Sequence, residues 1–400
     1  MTIVRDITLK MIPHLKTPEI LLFIGARQAG KTTILKQLQA RIEDRPTYFL
    51  TLEDPDYLRL LNESPKNLFS IFTIDLRGKA TVFIDEIQYL SNPSNFLKYF
   101  YDEYRDVIKL IVSGSSAFYL DRKFTDSLAG RKKICKVRTL SFREFLRFKA
   151  EDQLSTVDFE KISISEQEKI IPYYGEYMLY GGYPRVVLAP LHEKKDVLQE
   201  LAYSYIKKDV FDSHIRRDDV FYALFKILSS SIGQLLNASE LASTLGVSKT
   251  SIDHYLSVMQ KSFHICLVRP LFKNIRKELS KMPKIYFCDT GLRNFFANNF
   301  DPFEGRDDKG ALLENAVYRQ LIERHEEDDV KFWRTISKNE VDFIVSETYA
   351  LEVKSNPKQF KESKYQMFLE TYPNIPLRIA SFNTKEAIIG SHSVDEVWKI

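Results

Sequence analysis

The sequence predicts an α/β protein with a doubly wound parallel sheet, then a helical region, then a second, smaller α/β region. Three observations predict this fold class. The first half alternates near-continuous apolar runs with amphipathic stretches, which is typical of parallel strands covered on both faces. Residues from about 165 to 280 follow a mainly helical pattern. Strand-like runs return after about residue 284.

The apolar runs of the first half predict four strands, at 19–25, 45–52, 79–87 and 107–114. Helical patterns lie between them, for example at 31–42 and 94–105. Ligands of doubly wound sheets bind at the carboxyl ends of the strands. We therefore expect a nucleotide site where these four strands end.

Composition sets outer limits on the class of protein. The chain has 400 residues, 44% hydrophobic and 28% charged, which allows two or three domains with sizeable cores. A net charge of +4 permits a nucleic-acid partner without arguing for one. The three cysteines, in apolar runs without CxxC spacing, predict reduced thiols and a cytoplasmic location: Cys135, Cys266 and Cys288. The start does not resemble a signal peptide, and no apolar run is long enough to predict a membrane span.

A phosphate-binding loop is predicted at GARQAGKTT, residues 25–33, because it follows the first strand directly and opens a helical pattern. Glycines let backbone N–H groups surround the phosphates, Lys31 adds charge, and the Thr32 hydroxyl ligates Mg²⁺. ATP and Mg²⁺ are the expected cofactors. The residues expected to bind ATP are Gly25, Ala26, Arg27, Gln28, Ala29, Gly30, Lys31, Thr32 and Thr33.

A second strand end carries a pair of acids. The run TVFIDEIQ ends in Asp85 and Glu86. We expect Asp85 to hold Mg²⁺ through water and Glu86 to orient or deprotonate the attacking water. The alternative is an acidic pair that only caps a strand end. The order of loop and acids along the chain favours nucleotide binding and hydrolysis.

Two further features could reach the phosphates. Ser113, Ser115 or Ser116 could contact the γ-phosphate, or could simply begin a loop. Arg131 follows Gly130 in a basic stretch, residues 122–138. This arginine could reach a phosphate of its own or a neighbouring subunit, or could be an ordinary surface residue.

The middle of the chain predicts a helix-turn-helix at 237–259. Ala242, Gly246 and Ile252 have the spacing that lets two helices approach, turn and pack. The outward residues of the second helix could contact DNA phosphates or bases: Lys249, Thr250, Ser251 and His254. Winged-helix folds also serve as protein-interaction modules. The basic stretch 272–284 is either a β-wing on a DNA backbone or a solvated loop.

The last region contains three acids and a lysine with a spacing that suits a metal-dependent nuclease. Asp342 lies on one strand-like run, and Glu352 and Lys354 share a face of the next. Glu314 interrupts an apolar helix face upstream, and Gln366 could join the edge. Carboxylates suit Mg²⁺, and a lysine can stabilise phosphoryl charge. The alternative is a solvated strand face.

Taken together, these motifs resemble a known family. The segments GARQAGKTT, TVFIDEIQYL, VSGSSAFYL, SLAGR, LSFREF and GGYP, in this order, resemble the prokaryotic AAA-type ATPases fused to a C-terminal domain of unknown function with a nuclease-like fold. The resemblance implies that Arg131 is an arginine finger acting on a neighbouring subunit. It also implies a homo-oligomer, of which a ring is one form.

The C-terminal residues resemble the PD-(D/E)xK nucleases, which have a restriction-endonuclease-like α/β fold. The resemblance makes Asp342, Glu352 and Lys354 the motif residues and Glu314 the upstream acid. One departure is that Val341 precedes Asp342, where many members have proline. That departure leaves cleavage activity open.

We therefore predict three domains: an AAA-type P-loop ATPase with a helical lid portion at 1–190, a helical region with a winged helix-turn-helix at 191–284, and a nuclease-like domain at 285–400. The predicted function is ATP hydrolysis coupled to action on DNA, including branched or structured DNA. One alternative is a nucleotide-dependent switch or scaffold in signalling or defence with a vestigial nuclease fold. Another is an ATP-regulated nuclease.

Overall fold

The computed structural model describes residues 3–114, 128–213, 215–272, 278 and 281–400. The chain divides into two compact units. The first comprises Met1–Arg138 with Lys261–Phe263, and the second comprises Thr139–Gln260 with His264–Ile400.

A five-stranded parallel sheet forms the centre of the first unit. The strand order is β2-β3-β4-β1-β5, and every neighbouring pair is parallel. The strands are β1 (Ile20–Gly25), β2 (Thr47–Thr51), β3 (Ala80–Asp85), β4 (Ile108–Gly114) and β5 (Lys132–Val137). The predicted parallel sheet and its first four strands are confirmed. Strands β1, β3 and β4 are buried along their whole length, which explains their continuous apolar sequences.

Helices connect the parallel strands of this unit, as crossover connections require. The connecting helices are α2 (Lys31–Gln39), α3 (Pro55–Glu63), α4 (Leu68–Ile71) and α5 (Pro93–Tyr104), while α1 (Asp6–Met11) precedes β1. Their starts follow local chemistry: the Asp54 side chain accepts from two N–H groups of α3, and Pro55 takes the first helical position. One core cluster joins the sheet and helices, including Leu22, Val82, Leu97, Phe100 and Val112.

The second unit begins with helices and a hairpin. The helices are α6 (Phe142–Phe148), α7 (Asp152–Thr156), α8 (Ile164–Tyr180), α9 (Pro184–Leu188), α10 (Lys194–Asp212), α11 (Asp218–Ser230), α12 (Ala238–Leu245) and α13 (Lys249–Lys261). Strands β6 (Ile265–Val268) and β7 (Lys284–Phe287) pair antiparallel. Gly246 ends α12 in the left-handed conformation, with φ 63°, while Ala242 and Ile252 are buried. The two helices and the glycine turn predicted at 237–259 are thus present.

A six-stranded mixed sheet completes the second unit, in the order β12-β13-β11-β10-β9-β8. Its strands are β8 (Val330–Arg334), β9 (Glu340–Val345), β10 (Tyr349–Val353), β11 (Leu377–Ser381), β12 (Ile388–Ile389) and β13 (His392–Glu396). The helices of this part of the chain are α14 (Thr290–Ala297), α15 (Lys309–Arg324) and α16 (Gln366–Thr371). Strands β9 and β10 form an antiparallel hairpin, and β10 pairs parallel with β11. Helix α15 packs against β10 and β7.

Helix α14 packs closely on the end of α8. Asp289 caps α14 by accepting from Leu292 N at 3.1 Å, and it also accepts from Gly182 N at 2.8 Å. Asn294 donates to two carbonyl groups at the end of α8. A Cβ on Gly291 would lie 2.1 Å from Tyr180 O. Only glycine therefore fits at position 291.

The compact units differ from the three predicted domains at both boundaries. The first unit ends at Arg138 and not at 190, because the segment after Arg138 packs within the second unit: Leu140 N donates to Gly182 O at 2.7 Å. The boundary at 284/285 falls on the first residue of β7, which pairs with β6. The role of residues 139–190 as a lid portion stays a prediction.

Two simpler predictions concern the cysteines and the membrane. All three cysteines carry free thiols, with Cys135 and Cys266 buried and Cys288 half-buried. Within the ranges that the structure describes, no helix is long and apolar enough to cross a membrane.

Candidate functional site

The phosphate-binding loop lies between the end of β1 at Gly25 and the start of α2 at Lys31. A Cβ at Gly25 would lie 1.9 Å from Val137 O of the neighbouring strand, so a side chain cannot fit there. Gly30 has φ 95°, a left-handed conformation that glycine adopts without steric cost. The loop therefore places its backbone at the carboxyl edge of the sheet, as the sequence predicts.

The side chain of Lys31 is folded onto this loop. Its ammonium donates to Gly25 O and to Ala26 O, each at 2.9 Å. Burial lowers the pKa of Lys31 to about 8, partly offset by the Glu86 and Asp85 carboxylates. The bound carbonyls are weaker acceptors than phosphate oxygens, so an entering triphosphate can draw the ammonium away from them.

Thr32 and Asp85 lie side by side at the same edge. The Thr32 hydroxyl donates to Asp85 Oδ2 at 2.5 Å, and the Ser113 hydroxyl donates to Asp85 Oδ1. A hydroxyl and a carboxylate are ligands that suit Mg²⁺, which retains several waters. The residues present therefore fit a nucleotide-bound Mg²⁺, with Thr32 and Asp85 on its protein side.

Glu86 follows Asp85 in an unusual backbone conformation, with φ 57°. Its N–H donates to Ser113 Oγ at 3.3 Å, and the side-chain amide of Gln88 donates to its carboxylate. The side chain is half-buried at the carboxyl edge. This arrangement holds one carboxylate beyond the magnesium-type ligands, which is where a water-activating base is expected.

Sequence reasoning missed Arg5, a buried arginine just before α1. Its Nη1 donates to Ala29 O at 2.6 Å, and its Nη2 donates to Arg138 O at 2.9 Å. Arg5 lies 24 positions before Ala29 and 133 positions before Arg138, so no local sequence pattern indicates these contacts. Arg5 ties the middle of the phosphate-binding loop to the end of β5.

We expect Arg5→Leu to weaken ATP binding, because the Ala29 carbonyl loses a charged donor and the loop loses a fixed geometry. Charged hydrogen bonds contribute about 1.5–3 kcal/mol, so the ATP dissociation constant should rise roughly tenfold or more. Titration with a fluorescent ATP analogue measures this. The control is Arg41→Leu, at an exposed position. Equal affinities of the two variants would contradict a positioning role for Arg5.

Two predicted phosphate contacts have different outcomes. Ser113 lies at the site, but its hydroxyl is engaged by Asp85; Ser115 and Ser116 lie outside the described residues. Arg131 precedes β5, and its guanidinium pairs with Asp102 at 2.7 Å.

The sheet register separates Arg131 from the loop of its own subunit. Ile20 pairs with Lys132 and Gly25 with Val137, so Arg131 lies six positions before the level of Gly25, about 20 Å away. That distance excludes the own-subunit alternative. The neighbouring-subunit role stays a proposal.

The second helix of the helix-turn-helix pair, α13, exposes Lys249, Thr250 and His254. Ser251 is half-buried, and its N–H donates to Ser248 Oγ at 3.1 Å, which satisfies the start of the helix. The exposed face can contact a polyanion. The basic stretch 272–284 is described only at 272, 278 and 281–284, so its wing role is untested.

The C-terminal acids converge as the sequence predicts. Leu351 pairs with Phe343, which places Glu352 directly across from Asp342 on neighbouring strands. Asp342 Oδ2 accepts from Val353 N at 2.9 Å, and the Lys354 ammonium pairs with Glu352. Gln366 is exposed, and its amide donates to Glu370 at 2.9 Å; its place at the edge of the cluster stays a prediction.

Lys284 of β7, which sequence reasoning missed, reaches the same cluster. Its ammonium lies 3.1 Å from Glu314 Oε1, 2.6 Å from Glu340 Oε1 and 3.5 Å from Asp342 Oδ1. The Tyr286 hydroxyl donates to Glu314 Oε1 at 2.5 Å. The cluster therefore contains a second lysine that the nuclease motif does not provide.

Charges within this cluster shift one another. Burial, with the neighbouring Asp342 carboxylate, raises the pKa of Glu352 to about 8. Burial by itself would lower the pKa of Lys284, but the carboxylates outweigh it and hold that pKa above its ordinary value. Lys284 therefore stays charged.

The first unit belongs to the class of P-loop nucleotide-binding domains. It has a parallel sheet, the phosphate-binding loop at 25–33, and Thr32 next to Asp85. Family comparisons agree: residues 17–146 match the model of an AAA domain. Two models of domains of unknown function match the rest, DUF8612 at 171–302 and DUF4143 at 309–393.

Relatives extend over most of the chain. The uncharacterized protein MJ1544 of Methanocaldococcus jannaschii is 27% identical over 355 residues, covering 85% of this chain and 74% of the relative. An uncharacterized protein of Haemophilus influenzae is 25% identical over 356 residues, covering 84% and 81%.

Solved structures show a distant similarity. The Walker-type ATPase PABY2304 of Pyrococcus abyssi matches with a TM-score of 0.47 and 14% identity, covering 74% of this chain and 96% of the other. The RuvB Holliday junction branch migration motor of Thermotoga maritima matches with a TM-score of 0.34 and 16% identity, covering 70% and 95%. Both TM-scores are low, so neither similarity assigns a function.

Proposed function

We propose that this chain is an AAA-type ATPase that acts on DNA. The observation that supports it most directly is the contact between the Thr32 hydroxyl and Asp85 Oδ2 at 2.5 Å, with Glu86 next along the chain. A phosphate-binding loop, a magnesium-type ligand pair and a water-activating carboxylate thus lie at one edge of a parallel sheet. That set suffices for hydrolysis of a nucleoside triphosphate.

In this proposal each residue has a separate role. Loop N–H groups and Lys31 hold the β- and γ-phosphates, and Thr32 and Asp85 hold the ion that neutralises phosphoryl charge. Glu86 accepts the proton of the attacking water. Ser113 holds Asp85, and through the Glu86 N–H it fixes the backbone that carries the base.

Arg131 of a neighbouring copy would complete the site in a homo-oligomer. Its distance from its own loop, and its half-exposed side chain at the far edge of the sheet, support a role in trans. In that role the guanidinium would neutralise charge on the γ-phosphate.

The DNA partner is proposed from the exposed face of α13. Lys249, Thr250 and His254 project from the start of the helix that follows the glycine turn, the place from which helix-turn-helix proteins contact the major groove. A lysine there would bind phosphate and release counterions, so binding would weaken with salt.

The test is ATP turnover of the full chain with and without duplex, branched and single-stranded DNA. We expect stimulation by at least one DNA form and no turnover for Lys31→Ala. The double variant Lys249→Ala, His254→Ala should lower the slope of log affinity against log salt by about 1. Gln260→Ala, exposed near the end of the same helix, is the matched control. Turnover that is indifferent to every DNA would contradict the DNA part.

The second candidate function is a nucleotide-dependent switch or scaffold. The presence of the Lys284 ammonium among the C-terminal carboxylates favours it, because that arrangement does not resemble an open nuclease centre. Slow hydrolysis unaffected by DNA, with ADP retained through gel filtration, would identify this function. DNA cleavage abolished by Asp342→Ala would instead identify an ATP-regulated nuclease.

A further inference from the structure

The C-terminal acidic cluster already contains a cation. The Lys284 ammonium lies within salt-bridge distance of Glu314, Glu340 and Asp342, and its side chain is 1% exposed. An ammonium group has three hydrogen-bond donors, and here three carboxylates surround it. Each N–H donor of the Lys284 ammonium therefore has a carboxylate acceptor nearby.

Several carboxylate oxygens of the cluster also have other protein donors, whereas the buried Glu352 Oε2 has no hydrogen-bond partner among the residues that the structure describes. Asp342 Oδ2 accepts from Val353 N, Glu314 Oε1 accepts from the Tyr286 hydroxyl, and the Lys354 ammonium pairs with Glu352. Arg334 donates to Glu340 Oε2 at 2.7 Å. Lysine, arginine, tyrosine and backbone N–H donors of the protein thus surround the carboxylates of Glu314, Glu340 and Asp342.

A divalent metal does not fit this arrangement. Mg²⁺ binds carboxylate oxygens at about 2.0–2.1 Å and carries its own waters, so a Mg²⁺ shared by Glu314, Glu340 and Asp342 would have to occupy the position of the ammonium nitrogen. A magnesium ion and the Lys284 ammonium held by the same carboxylates would repel each other strongly, because water is excluded there. Among the described residues, no group of three or more His, Cys, Asp or Glu side chains is arranged to hold a metal ion.

The cation comes from outside the sheet that carries the acids. Lys284 begins β7, which pairs with β6 through Val268, whereas Glu340 and Asp342 lie on β9. Glu314 lies on α15. One side chain therefore connects the hairpin after the helix-turn-helix to both the helix and the sheet of the C-terminal part.

We propose that Lys284 is a built-in cation that occupies the place of a divalent metal among Glu314, Glu340 and Asp342 and joins the β6–β7 hairpin to the C-terminal sheet. The cluster then excludes divalent metals while Lys284 is in place, and its carboxylates become a metal site when the ammonium is removed. This inference is independent of the proposed ATPase function and would stand if that function failed.

The test is Mn²⁺ binding by nucleotide-free full-length protein, because Mn²⁺ takes the same oxygen ligands as Mg²⁺ and is visible by electron paramagnetic resonance. An Asp85→Asn parent removes the magnesium-type carboxylate of the nucleotide site. We expect no bound Mn²⁺ in this parent, up to about 1 mM. Adding Lys284→Met should create one site per chain, and a further Asp342→Asn should remove it.

Folding is followed in the same samples by tryptophan fluorescence, since both tryptophans, Trp333 and Trp398, lie in the second unit. Mn²⁺ should raise the unfolding temperature of the Lys284→Met protein and leave that of the parent unchanged. Lys284→Arg keeps a cation in place and should bind no Mn²⁺.

Three outcomes would overturn the proposal. One is a bound Mn²⁺ in the parent that Asp342→Asn abolishes. Another is a folded Lys284→Met protein that gains no site, and a third is a folded Lys284→Arg protein that gains one. If the Lys284→Met protein does not fold, Mn²⁺ binding by the parent and by the Lys284→Arg protein tests the proposal.

Discussion

Glu86→Gln is expected to lower ATP turnover by about 100-fold or more while ATP still binds, because general-base groups contribute roughly this much. The phosphate-binding loop, Lys31 and the Thr32–Asp85 pair are unchanged by this substitution. The glutamine carbonyl can still accept from the Gln88 amide, so the side chain should keep its position. What is lost is the ability to take a proton from water.

Single-turnover hydrolysis and nucleotide binding, measured on the same preparation, separate chemistry from affinity. Lys31→Ala is the contrasting variant, because it removes the ammonium that would contact the phosphates and should lose binding as well. Turnover of Glu86→Gln close to that of the parent would show that another group activates the water. Equal loss of binding in both variants would assign Glu86 to the loop and not to the chemistry.

Gly291→Ala is expected to destabilise the second unit by about 3 kcal/mol, the upper end of ordinary overpacking costs. The added Cβ would lie 2.1 Å from Tyr180 O and 2.4 Å from the carbonyl carbon. Both atoms belong to the backbone at the end of α8, so no side chain can rotate away. Helix α14 would have to shift, and its hydrogen bonds to α8 would weaken.

Tryptophan fluorescence during thermal unfolding reports this change, because both tryptophans lie in the second unit. We expect the midpoint to fall by roughly 10 °C. Gly310→Ala is the matched control: it lies in α15, no atom lies within 4 Å of its Cβ position, and it should be neutral or stabilise by up to about 1 kcal/mol. Equal midpoints for the two variants would contradict the close packing of α14 on α8.

The parts of the fold that sequence predicted are those with a strong local signal. Strands β1 to β4 are continuous apolar runs, and the phosphate-binding loop combines a strand end, two glycines and a helix start. The pairing of Asp342 with Glu352 followed from two-residue periodicity and a short turn between strands. In each case the signal lies within about 15 residues of chain.

The parts that sequence did not predict depend on contacts between distant residues. Lys284 is 30 residues from Glu314 and 58 from Asp342, and a lysine at a strand start looks solvent-exposed by pattern. Arg5 reaches Arg138 across 133 positions. The end of the first compact unit at Arg138 depends on such a contact too: the backbone pairing of Leu140 with Gly182, which draws the following segment into the second unit, has no local pattern.

The left-handed backbone at Glu86 has an evolutionary consequence. A non-glycine residue at φ 57° costs roughly 1 kcal/mol or more relative to glycine, and one base change converts a glutamate codon to a glycine codon. A single base change, from glutamate to glycine, would therefore relieve the backbone strain at position 86. With glutamate at position 86 the chain forgoes this gain in stability, so the carboxylate carries a conformational cost that a glycine turn would avoid.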